Sequence, residues 1–264
     1  MKIASIGAGR MASALVRGLV QAKVCAAADI AVADPVAAAR EKLAGDLGAK
    51  SADTNAAAIA GADVVLLCVK PNDVAAALAA CGVEISGKLL LSIVTGWSIA
   101  ALSEHAAGAR IVRAMPNTPA QIGAGATAYS GDSSATKDDL ELAGRILGAV
   151  GLAVVVPENL LDAVTGLSGS GPAYVFLVME ALSDGGVAAG LPRPLATQLA
   201  VQTVLGAARL AAETNEHPAL LREAVTSPGG TTAAALAVLE AAAVRSAFGD
   251  AVNAAAERSR ELGQ

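Results

Sequence analysis

Aromatic residues are scarce in this sequence, and its charge balance is acidic. Phe, Trp and Tyr make up 2% of the 264 residues, and the formal net charge is −5. Binding to a phosphate backbone needs clustered Lys and Arg, and single-stranded nucleic acids are also held by aromatic stacking. The composition therefore predicts no nucleic-acid partner.

Cysteine and histidine are also rare. Cys25, Cys68 and Cys81 show no CxxC spacing, and we expect them to be small, buried apolar residues. His105 and His217 lie far apart in the sequence without supporting ligands. We therefore predict no metal site.

No apolar run reaches the roughly 18 residues that a membrane-spanning helix needs, since residues such as Glu180 and Glu240 interrupt the longest candidates. The first apolar segment is too short for the core of a signal peptide. We therefore expect a soluble, cytoplasmic protein without a membrane partner. A hydrophobic content of 54% and a mean hydropathy of +0.55 favour a large core. At about 100–200 residues per domain, the length favours two domains.

The pattern of residues 1–157 alternates between strands and helices. Strand patterns lie at 2–6, 29–33, 63–69, 88–93 and 110–114, and helical patterns lie between them at 11–20, 36–47, 72–80 and 98–106. Two candidate edge strands, 123–129 and 152–156, flank a helical pattern at 136–149. Such alternation is typical of βαβ units and a parallel sheet. We predict an α/β domain here.

Residues 158–264 carry no strand pattern. Ala-rich helical patterns follow one another, at 159–166, 172–189, 193–214, 218–225 and 231–262. The alanine content suits close helix packing in a bundle, including a dimer interface. It is equally explained by compositional bias together with the high helix propensity of alanine. The second domain is therefore predicted to be all-helical.

A glycine-rich turn joins the first strand to the first helix. Gly7-Ala8-Gly9-Arg10-Met11-Ala12 fits the pattern G-x-G-x-x-[GA] in the position where a dinucleotide-binding domain needs it. The first glycine permits the tight turn, the second lets backbone approach a pyrophosphate, and Ala12 allows the helix to pack closely on the strand. We predict that NADH or NADPH binds here. A glycine-rich turn without a ligand is the alternative.

Asp34 ends the second strand, about 20 residues beyond the turn. An acid at this place accepts hydrogen bonds from the ribose hydroxyls of NAD and repels the 2′-phosphate of NADP. No arginine follows it directly, and the next one, Arg40, is a helical turn or more away. The sequence thus favours NADH. The alternative is that Asp34 merely caps the following helix.

Other cofactor contacts are expected where further strands end, because ligands bind at the carboxyl ends of such strands. The candidates are Cys68, Val69, Lys70, Pro71, Val94, Thr95 and Gly96. Asn55 is expected either to reach the adenosine or to cap the helix after it.

Three segments rich in small residues remain, at 113–119, 166–172 and 227–232. Glycine-rich turns at helix N-termini present several N–H groups together, and such nests bind carboxylates or phosphates. Plain helix capping is the alternative, but the two glycines and two threonines of the third segment exceed what a cap needs. We predict a substrate site that includes this segment.

The second domain has no lysine, and His217 is its only histidine. A hydroxyacid dehydrogenase needs a general base for the alcohol proton, usually Lys or His. An imine removes this need, because its nitrogen is basic enough to arrive protonated and hydride then adds to the iminium carbon. The absence therefore favours an imine substrate.

The motifs of the whole chain together resemble the pyrroline-5-carboxylate reductase family. The resemblance is carried by the glycine-rich turn, by Val69-Lys70-Pro71, by Arg113-Ala-Met-Pro-Asn-Thr-Pro119, by the run from Asp162 to Tyr174, by segments 184–187 and 190–193, and by Ser227-Pro-Gly-Gly-Thr-Thr232. It implies an N-terminal Rossmann domain and an all-helical C-terminal domain that dimerises by intertwining, with dimers stacked into decamers in some members.

The resemblance also implies roles for residues of the substrate site. Backbone N–H groups of Gly229, Gly230 and Thr231 would hold the substrate carboxylate, and the Thr232 hydroxyl would contact the ring nitrogen. Glu158 matches an acid near the substrate pocket. In the family this loop can belong to the partner subunit.

Two positions depart from the family pattern. Many NADPH-using members carry Ser, Thr or Arg near position 34, where this chain has Asp34, and members are often polar where it has Ala224. Two other functions remain open: a β-hydroxyacid type of dehydrogenase, against which the missing lysine argues, and a non-catalytic dinucleotide sensor, against which the intact 227–232 loop argues.

Overall fold

The computed structural model describes residues 1–263. Eight strands form one sheet: β1 Ile3–Ile6, β2 Ile30–Ala33, β3 Lys50–Ser51, β4 Val64–Leu67, β5 Leu89–Ser92, β6 Arg110–Met115, β7 Gly125–Gly131 and β8 Gly151–Val155. Their order is β3-β2-β1-β4-β5-β6-β7-β8. The strands from β1 to β6 are parallel to their neighbours, β7 runs antiparallel to β6, and β8 is parallel to β7.

Residues 1–263 also form twelve α-helices. Their bounds are α1 Arg10–Gln21, α2 Ala37–Leu47, α3 Asn55–Ile59, α4 Val74–Ala79, α5 Ile99–His105, α6 Lys137–Gly148, α7 Leu161–Val164, α8 Gly171–Ala188, α9 Arg193–Thr214, α10 Pro218–Ala224, α11 Thr231–Ala241 and α12 Val244–Leu262. A single π-helical turn, Thr165–Gly169, follows α7.

The chain forms two compact units. One consists of Met1–Ser170 together with the residues from Asn253 onward, and the other is Gly171–Val252. The predicted fold class, an α/β dinucleotide-binding domain followed by helices, is confirmed. The functional boundary at 157/158 stays a prediction.

Every residue of the central strands β1, β4 and β5 is buried, because helices cover both faces of the sheet. On one face Ile3, Val64 and Leu66 pack with residues of α1, α2 and α6. On the other face Ile6 and Leu67 pack with residues of α3, α4 and α5. A strand buried on both faces has apolar residues at nearly every position. Continuous apolar runs in the sequence therefore predict these strands.

Three predictions from the sequence pattern are wrong in detail. Residues 231–262 are not one helix, since the chain breaks at Ala243, whose φ is +54°, and α11 and α12 are bent by 50°. β7 is an internal strand rather than an edge, because β6 and β8 pair with its two sides. The helical pattern at 159–166 becomes the short α7 followed by the π turn.

The helical unit by itself is held by a close α8–α9 hairpin. Ser183 and Thr197 share a 2.8 Å hydrogen bond, and Arg193 donates to Ser183 at 3.0 Å. Within residues 1–263 no single helix is long and apolar enough to cross a membrane, although α11 and α12 together meet that criterion by length and composition.

Candidate cofactor and substrate sites

The glycine-rich turn lies where the strand order reverses, between β1 and β4. Gly7 has φ +104°, and a Cβ on it would stand 2.4 Å from the carbonyl oxygen of Cys68. Gly9 has an ordinary φ of −71° and is the N-cap of α1, without a side chain capping that end. No atom lies within 4 Å of a Cβ built on Gly9. The turn is therefore tight at Gly7 and open at Gly9, as backbone approach to a pyrophosphate requires.

Asp34 fastens this turn to the end of β2. Its Oδ2 accepts a hydrogen bond from the N–H of Ala8, and its Oδ1 accepts one from the N–H of Val36, both at 2.8 Å. The N-cap of α2 is Val36, so the alternative in which Asp34 caps that helix is wrong. A carboxylate has about four acceptor sites, which leaves capacity for a ribose hydroxyl.

Arg40 lies much nearer to Asp34 than the sequence suggests. Its Nη1 is 3.4 Å from the carbonyl oxygen of Asp34, and its Nη2 forms an ion pair with Asp53 at 2.5 Å. Side chains on a helix tilt toward its N-terminus, so a long side chain in the first turn of α2 reaches back to the end of β2. The separation of a helical turn along the sequence therefore does not keep Arg40 away from Asp34.

A cleft of about 640 Å³ runs along the carboxyl ends of the parallel strands. It brings together many of the predicted cofactor residues, namely Gly7, Gly9, Asp34, Asn55, Cys68, Val69 and Lys70. Asn55 does not cap α3, because Thr54 accepts the N–H of Ala57 in that role. The Asn55 amide instead donates to the carbonyl oxygen of Ala77 across the cleft wall.

The remaining predicted cofactor residues lie outside this cleft. Ala8 and Arg10 line a neighbouring cleft of about 480 Å³. Met11 packs against the sheet core. The Thr95 hydroxyl contacts the sulfur of Met115 at 3.7 Å. Gly96, with φ +80°, leaves room for the end of α12, because a Cβ on it would stand 2.8 Å from the Leu262 carbonyl oxygen.

Val94 is buried in the core, and the carbonyl oxygen of Pro71 accepts a hydrogen bond from the Trp97 indole. Burial raises the pKa of the Cys68 thiol to about 12, even though a hydrogen bond with Ser5 acts in the opposite direction. Cys68 is therefore a neutral thiol at physiological pH and contributes packing rather than nucleophilic chemistry.

Glu158 belongs to a polar network around Arg113. Its Oε1 accepts the N–H of Ile99 at 2.7 Å and pairs with Arg113 Nη1 at 3.2 Å. Arg113 Nη2 lies 4.0 Å from Asp162, which accepts a 2.7 Å hydrogen bond from the Ser259 hydroxyl. The network ties β6 to α5, α7 and α12. An arginine inside the apolar pattern 110–114 was the signal that a buried counter-charge was needed.

Asn117 connects two of the small-residue segments. Its side-chain oxygen accepts the N–H of Ala126 at 2.8 Å, and its amide donates to the carbonyl oxygen of Ser168 at 3.0 Å. Asn117 is buried, and both of its bonds are to backbone. The segment 113–119 therefore fixes the position of the π turn that opens segment 166–172, a role that the sequence did not reveal.

The segment 227–232 lies in the helical unit. Gly229 adopts φ +69°, and Gly230 is the N-cap of α11. No Ser or Thr side chain caps this end. Gly230 as N-cap and Gly229 at a positive φ fit the alternative of plain capping as well as they fit a ligand loop. Thr231 and Thr232 occupy the first turn of α11, with Thr231 exposed and Thr232 half-buried. A helix N-terminus without a side-chain cap is able to receive an anion.

A mostly parallel sheet with this switch point, a glycine-rich turn and an acid after β2 define a dinucleotide-binding oxidoreductase of the Rossmann class. Residues 2–96 match a family model described as NADP oxidoreductase, coenzyme F420-dependent, and residues 158–262 match one described as pyrroline-5-carboxylate reductase dimerisation. The chain belongs to the pyrroline-5-carboxylate reductase family, as its motifs predict.

Relatives match over their full lengths. The pyrroline-5-carboxylate reductase of Synechocystis sp. is 47% identical over 264 residues, covering 100% of this chain and 99% of that protein. The one from Methanosarcina acetivorans is 44% identical over 265 residues, covering 100% and 98%.

Two solved structures share the fold. A pyrroline-5-carboxylate reductase from Coxiella burnetii has a TM-score of 0.94 at 38% identity, covering 100% of this chain and 98% of that one. A pyrroline carboxylate reductase from Plasmodium falciparum with NADP bound has a TM-score of 0.90 at 30% identity, with the same coverage.

Proposed function

We propose that this protein reduces the C=N bond of 1-pyrroline-5-carboxylate to give L-proline, the last step of proline biosynthesis, in the cytoplasm. One observation carries the proposal: the same chain has an open turn at Gly9 and, after Gly229, an α11 N-terminus that no side chain caps. The first feature suits a dinucleotide and the second suits a carboxylate. Relatives of the same length carry this activity in their names.

The cofactor site fits a nicotinamide dinucleotide. No side chain caps the N-terminus of α1, so its N–H groups would face the pyrophosphate, and Gly9 adds no side chain there. Ala8, Arg10 and Met11 complete this turn. Asn55 would contact the adenosine, and segments 68–71 and 94–96 would line the nicotinamide side. When bound, the reduced nicotinamide supplies the hydride.

Asp34 favours NADH over NADPH in this proposal. Its carboxylate stands at the end of β2, where it would accept from a ribose hydroxyl and repel a 2′-phosphate. The Plasmodium falciparum relative was solved with NADP bound, which supports use of NADPH by this chain beside NADH.

The substrate is held by the segment 227–232. The N–H groups of Gly229, Gly230 and Thr231 would bind its carboxylate, and the Thr232 hydroxyl would orient the ring nitrogen. The Gly230 N–H donates to the Ser227 carbonyl oxygen at 3.0 Å and would exchange that acceptor for the carboxylate. The substrate arrives as an iminium, the hydride forms a C–H bond at the imine carbon, and the C=N π electrons become the nitrogen lone pair. No general base is required. Glu158, held by Arg113, would shape the pocket edge.

Assembly completes the site in this proposal. The domains act as 1–157 for the cofactor and 158–264 for substrate and dimerisation. Exposed apolar side chains on the helical unit, including Phe176, Leu177 and Val238, support burial against a second copy. In the intertwined dimer the partner subunit's copy of the loop would serve the cofactor cleft. Dimers would stack further into a decamer.

Identification of the product tests the proposal. The protein is incubated with 1-pyrroline-5-carboxylate and reduced cofactor, and L-proline is detected by chiral chromatography. We expect L-proline to form in proportion to cofactor oxidised. Failure to form proline, together with oxidation of β-hydroxyacids by the oxidised cofactor, would establish the dehydrogenase alternative. Dinucleotide binding without any turnover would establish the sensor alternative.

A further inference from the structure

The last turns of α12 pack on the unit that carries the sheet, to which the residues from Asn253 onward belong. Ala256 and Ser259 are buried and lie one turn apart on the same face of the helix, whereas residues 260–263 are exposed. The segment 256–263, the α12 end, is therefore docked along one narrow face.

The α12 end closes on the loop between β5 and α5, residues 93–98. A Cβ on Gly96 would stand 2.8 Å from the Leu262 carbonyl oxygen, and one on Gly263 would stand 3.0 Å from the Gly96 carbonyl oxygen. Backbone meets backbone here, with no side chain between the two segments. Because closely packed groups transmit strain, a displacement of the α12 end is passed to this β5–α5 loop.

A line of polar contacts leads from the α12 end to the far end of the same loop. The Ser259 hydroxyl donates a 2.7 Å hydrogen bond to Asp162, one of the two carboxylates beside Arg113. The other carboxylate, Glu158, accepts the N–H of Ile99, the first residue of α5, at 2.7 Å. The β5–α5 loop is thus held by the α12 end at its middle and by this polar line where it enters α5.

We propose that the α12 end positions the β5–α5 loop for hydride transfer, and that Ser259 is the positioning residue. This role rests on the proposed function, in which segment 94–96 lines the nicotinamide side. Ser259 does not line the cofactor cleft, so it acts only through the contacts of the α12 end. Hydride transfer depends on close approach of the reacting atoms, and a misplacement of about 1 Å slows a reaction about 100-fold.

Trp97, the single tryptophan of the sequence, lies in the β5–α5 loop. Its indole donates to the Pro71 carbonyl oxygen at 3.0 Å, and its ring stands edge-on to His105 with the ring centroids 5.2 Å apart. Tryptophan fluorescence of this protein therefore reports on the loop alone. Quenching of that fluorescence by acrylamide measures how firmly the loop is held, and it needs neither cofactor nor imine.

Ser259→Ala removes the hydrogen bond to Asp162 without adding bulk. We expect kcat with the imine to fall about 5–10-fold, KM for the imine to change less than about twofold, and the acrylamide quenching constant of Trp97 to rise about twofold. The isotope effect from cofactor deuterated at the transferred position is expected to increase, because hydride transfer slows relative to binding and release. Ser259→Thr keeps the hydroxyl and is expected to recover most of kcat.

Ser246→Ala is the matched control. It makes the same change on the same helix, but Ser246 is exposed in the first turn of α12, away from the α12 end. We expect its kcat, its isotope effect and its Trp97 quenching to stay within about 1.5-fold of the wild-type values.

A pair of glycine variants tests the backbone contact separately. Gly87 and Gly96 flank β5 with φ values of +75° and +80°, but a Cβ on Gly87 would meet nothing, whereas one on Gly96 would meet the α12 end. Both Ala variants are expected to lower Tm, because alanine is strained at a positive φ. Only Gly96→Ala is expected to raise the quenching of Trp97.

Unchanged kcat and unchanged Trp97 quenching in Ser259→Ala would overturn the proposal. A lower Tm with both of these values retained would overturn it as well, since the α12 end would then only stabilise the fold. Higher quenching without any change in kcat or in the isotope effect would remove the role in hydride transfer. Wild-type protein that fails to reduce the imine would contradict the proposed function, and the quenching measurement would still decide whether the α12 end holds the loop.

Discussion

The carboxylate of Asp34 accepts a hydrogen bond from the backbone N–H of Ala8 at 2.8 Å, across 26 residues of sequence. The acid that is expected to select the cofactor therefore also holds the glycine-rich turn in place. A substitution at Asp34 changes both the local charge and the anchoring of the turn. The two effects differ in outcome, because charge acts on the choice between NADH and NADPH, whereas anchoring acts on both cofactors alike.

Asp34→Ser is expected to shift cofactor preference toward NADPH. Removal of the charge relieves repulsion of the 2′-phosphate, and we expect the ratio of kcat/KM for NADPH over NADH to rise about tenfold, or about 1.4 kcal/mol. Steady-state rates with each cofactor measure this ratio. Asp29→Ser, at the opposite end of β2, removes the same charge and serves as control. An unchanged ratio in Asp34→Ser would show that Asp34 acts only as an anchor.

Gly7→Ala and Gly9→Ala are expected to fail in different ways. At Gly7 the new Cβ would meet backbone 2.4 Å away at a positive φ, so we expect a loss of stability of about 2–4 kcal/mol. At Gly9 the Cβ meets nothing and the φ is ordinary, so stability is retained. Cofactor affinity is nevertheless expected to fall at least about tenfold, because backbone approach to the pyrophosphate is blocked.

Thermal unfolding and fluorescence titration of both glycine variants separate the two effects. A Gly9→Ala variant that binds cofactor normally would contradict the assigned position of the pyrophosphate. Equal losses of Tm in both variants would contradict the distinction between a tight and an open glycine.

Thr232→Ala is expected to lower kcat/KM for the imine about 10–100-fold and to leave the cofactor Kd nearly intact. Its hydroxyl would orient the ring nitrogen, and loss of positioning slows the reaction without touching the dinucleotide. Thr232→Ser keeps the hydroxyl and is expected to retain most of the activity. Steady-state kinetics with both variants decide the matter, and an unchanged rate in Thr232→Ala would remove this hydroxyl from the mechanism.

Variants of Glu158 distinguish direct contact with the substrate from a purely structural role at the edge of the pocket. Glu158→Ala leaves the N–H of Ile99 without its acceptor and removes the nearer of the two carboxylates beside Arg113, whose side chain is only 10% exposed. We expect a stability loss of about 2–3 kcal/mol, whereas Glu158→Gln keeps an acceptor and loses about 1 kcal/mol.

Urea unfolding of the two Glu158 variants is compared with their KM for the imine. If KM rises in Glu158→Gln together with a loss of stability, Glu158 acts indirectly, by holding Arg113 in position. A rise in KM at full stability would indicate direct contact with the substrate.

The sheet was largely predictable because continuous apolar runs mark strands that are buried on both faces, as in β1, β4 and β5. β3 was missed because its two residues are both exposed, and α3 because five residues are too few for a helical period. The helix breaks at Ala243, where no Gly or Pro indicates a break in the sequence. The hydrophobic pattern of the sequence therefore predicts long, regular helices and strands, but it does not predict short or irregular ones.

The site was predictable where the chemistry lies within a motif, as at Gly7, Gly9 and segment 227–232. It was not predictable where residues distant in sequence meet. Arg40 reaches Asp53 across 13 residues, and Asp162 meets Ser259 across 97. Those contacts depend on how strands and helices are arranged, which the spacing of residues does not encode.

The most direct test of the proposed function is the oxidation of NADH and of NADPH, in parallel, with and without 1-pyrroline-5-carboxylate. The account predicts rapid oxidation that depends on the imine, with NADH ahead of NADPH and both above background. No imine-dependent oxidation with either cofactor, from folded protein that still binds dinucleotide, would contradict it.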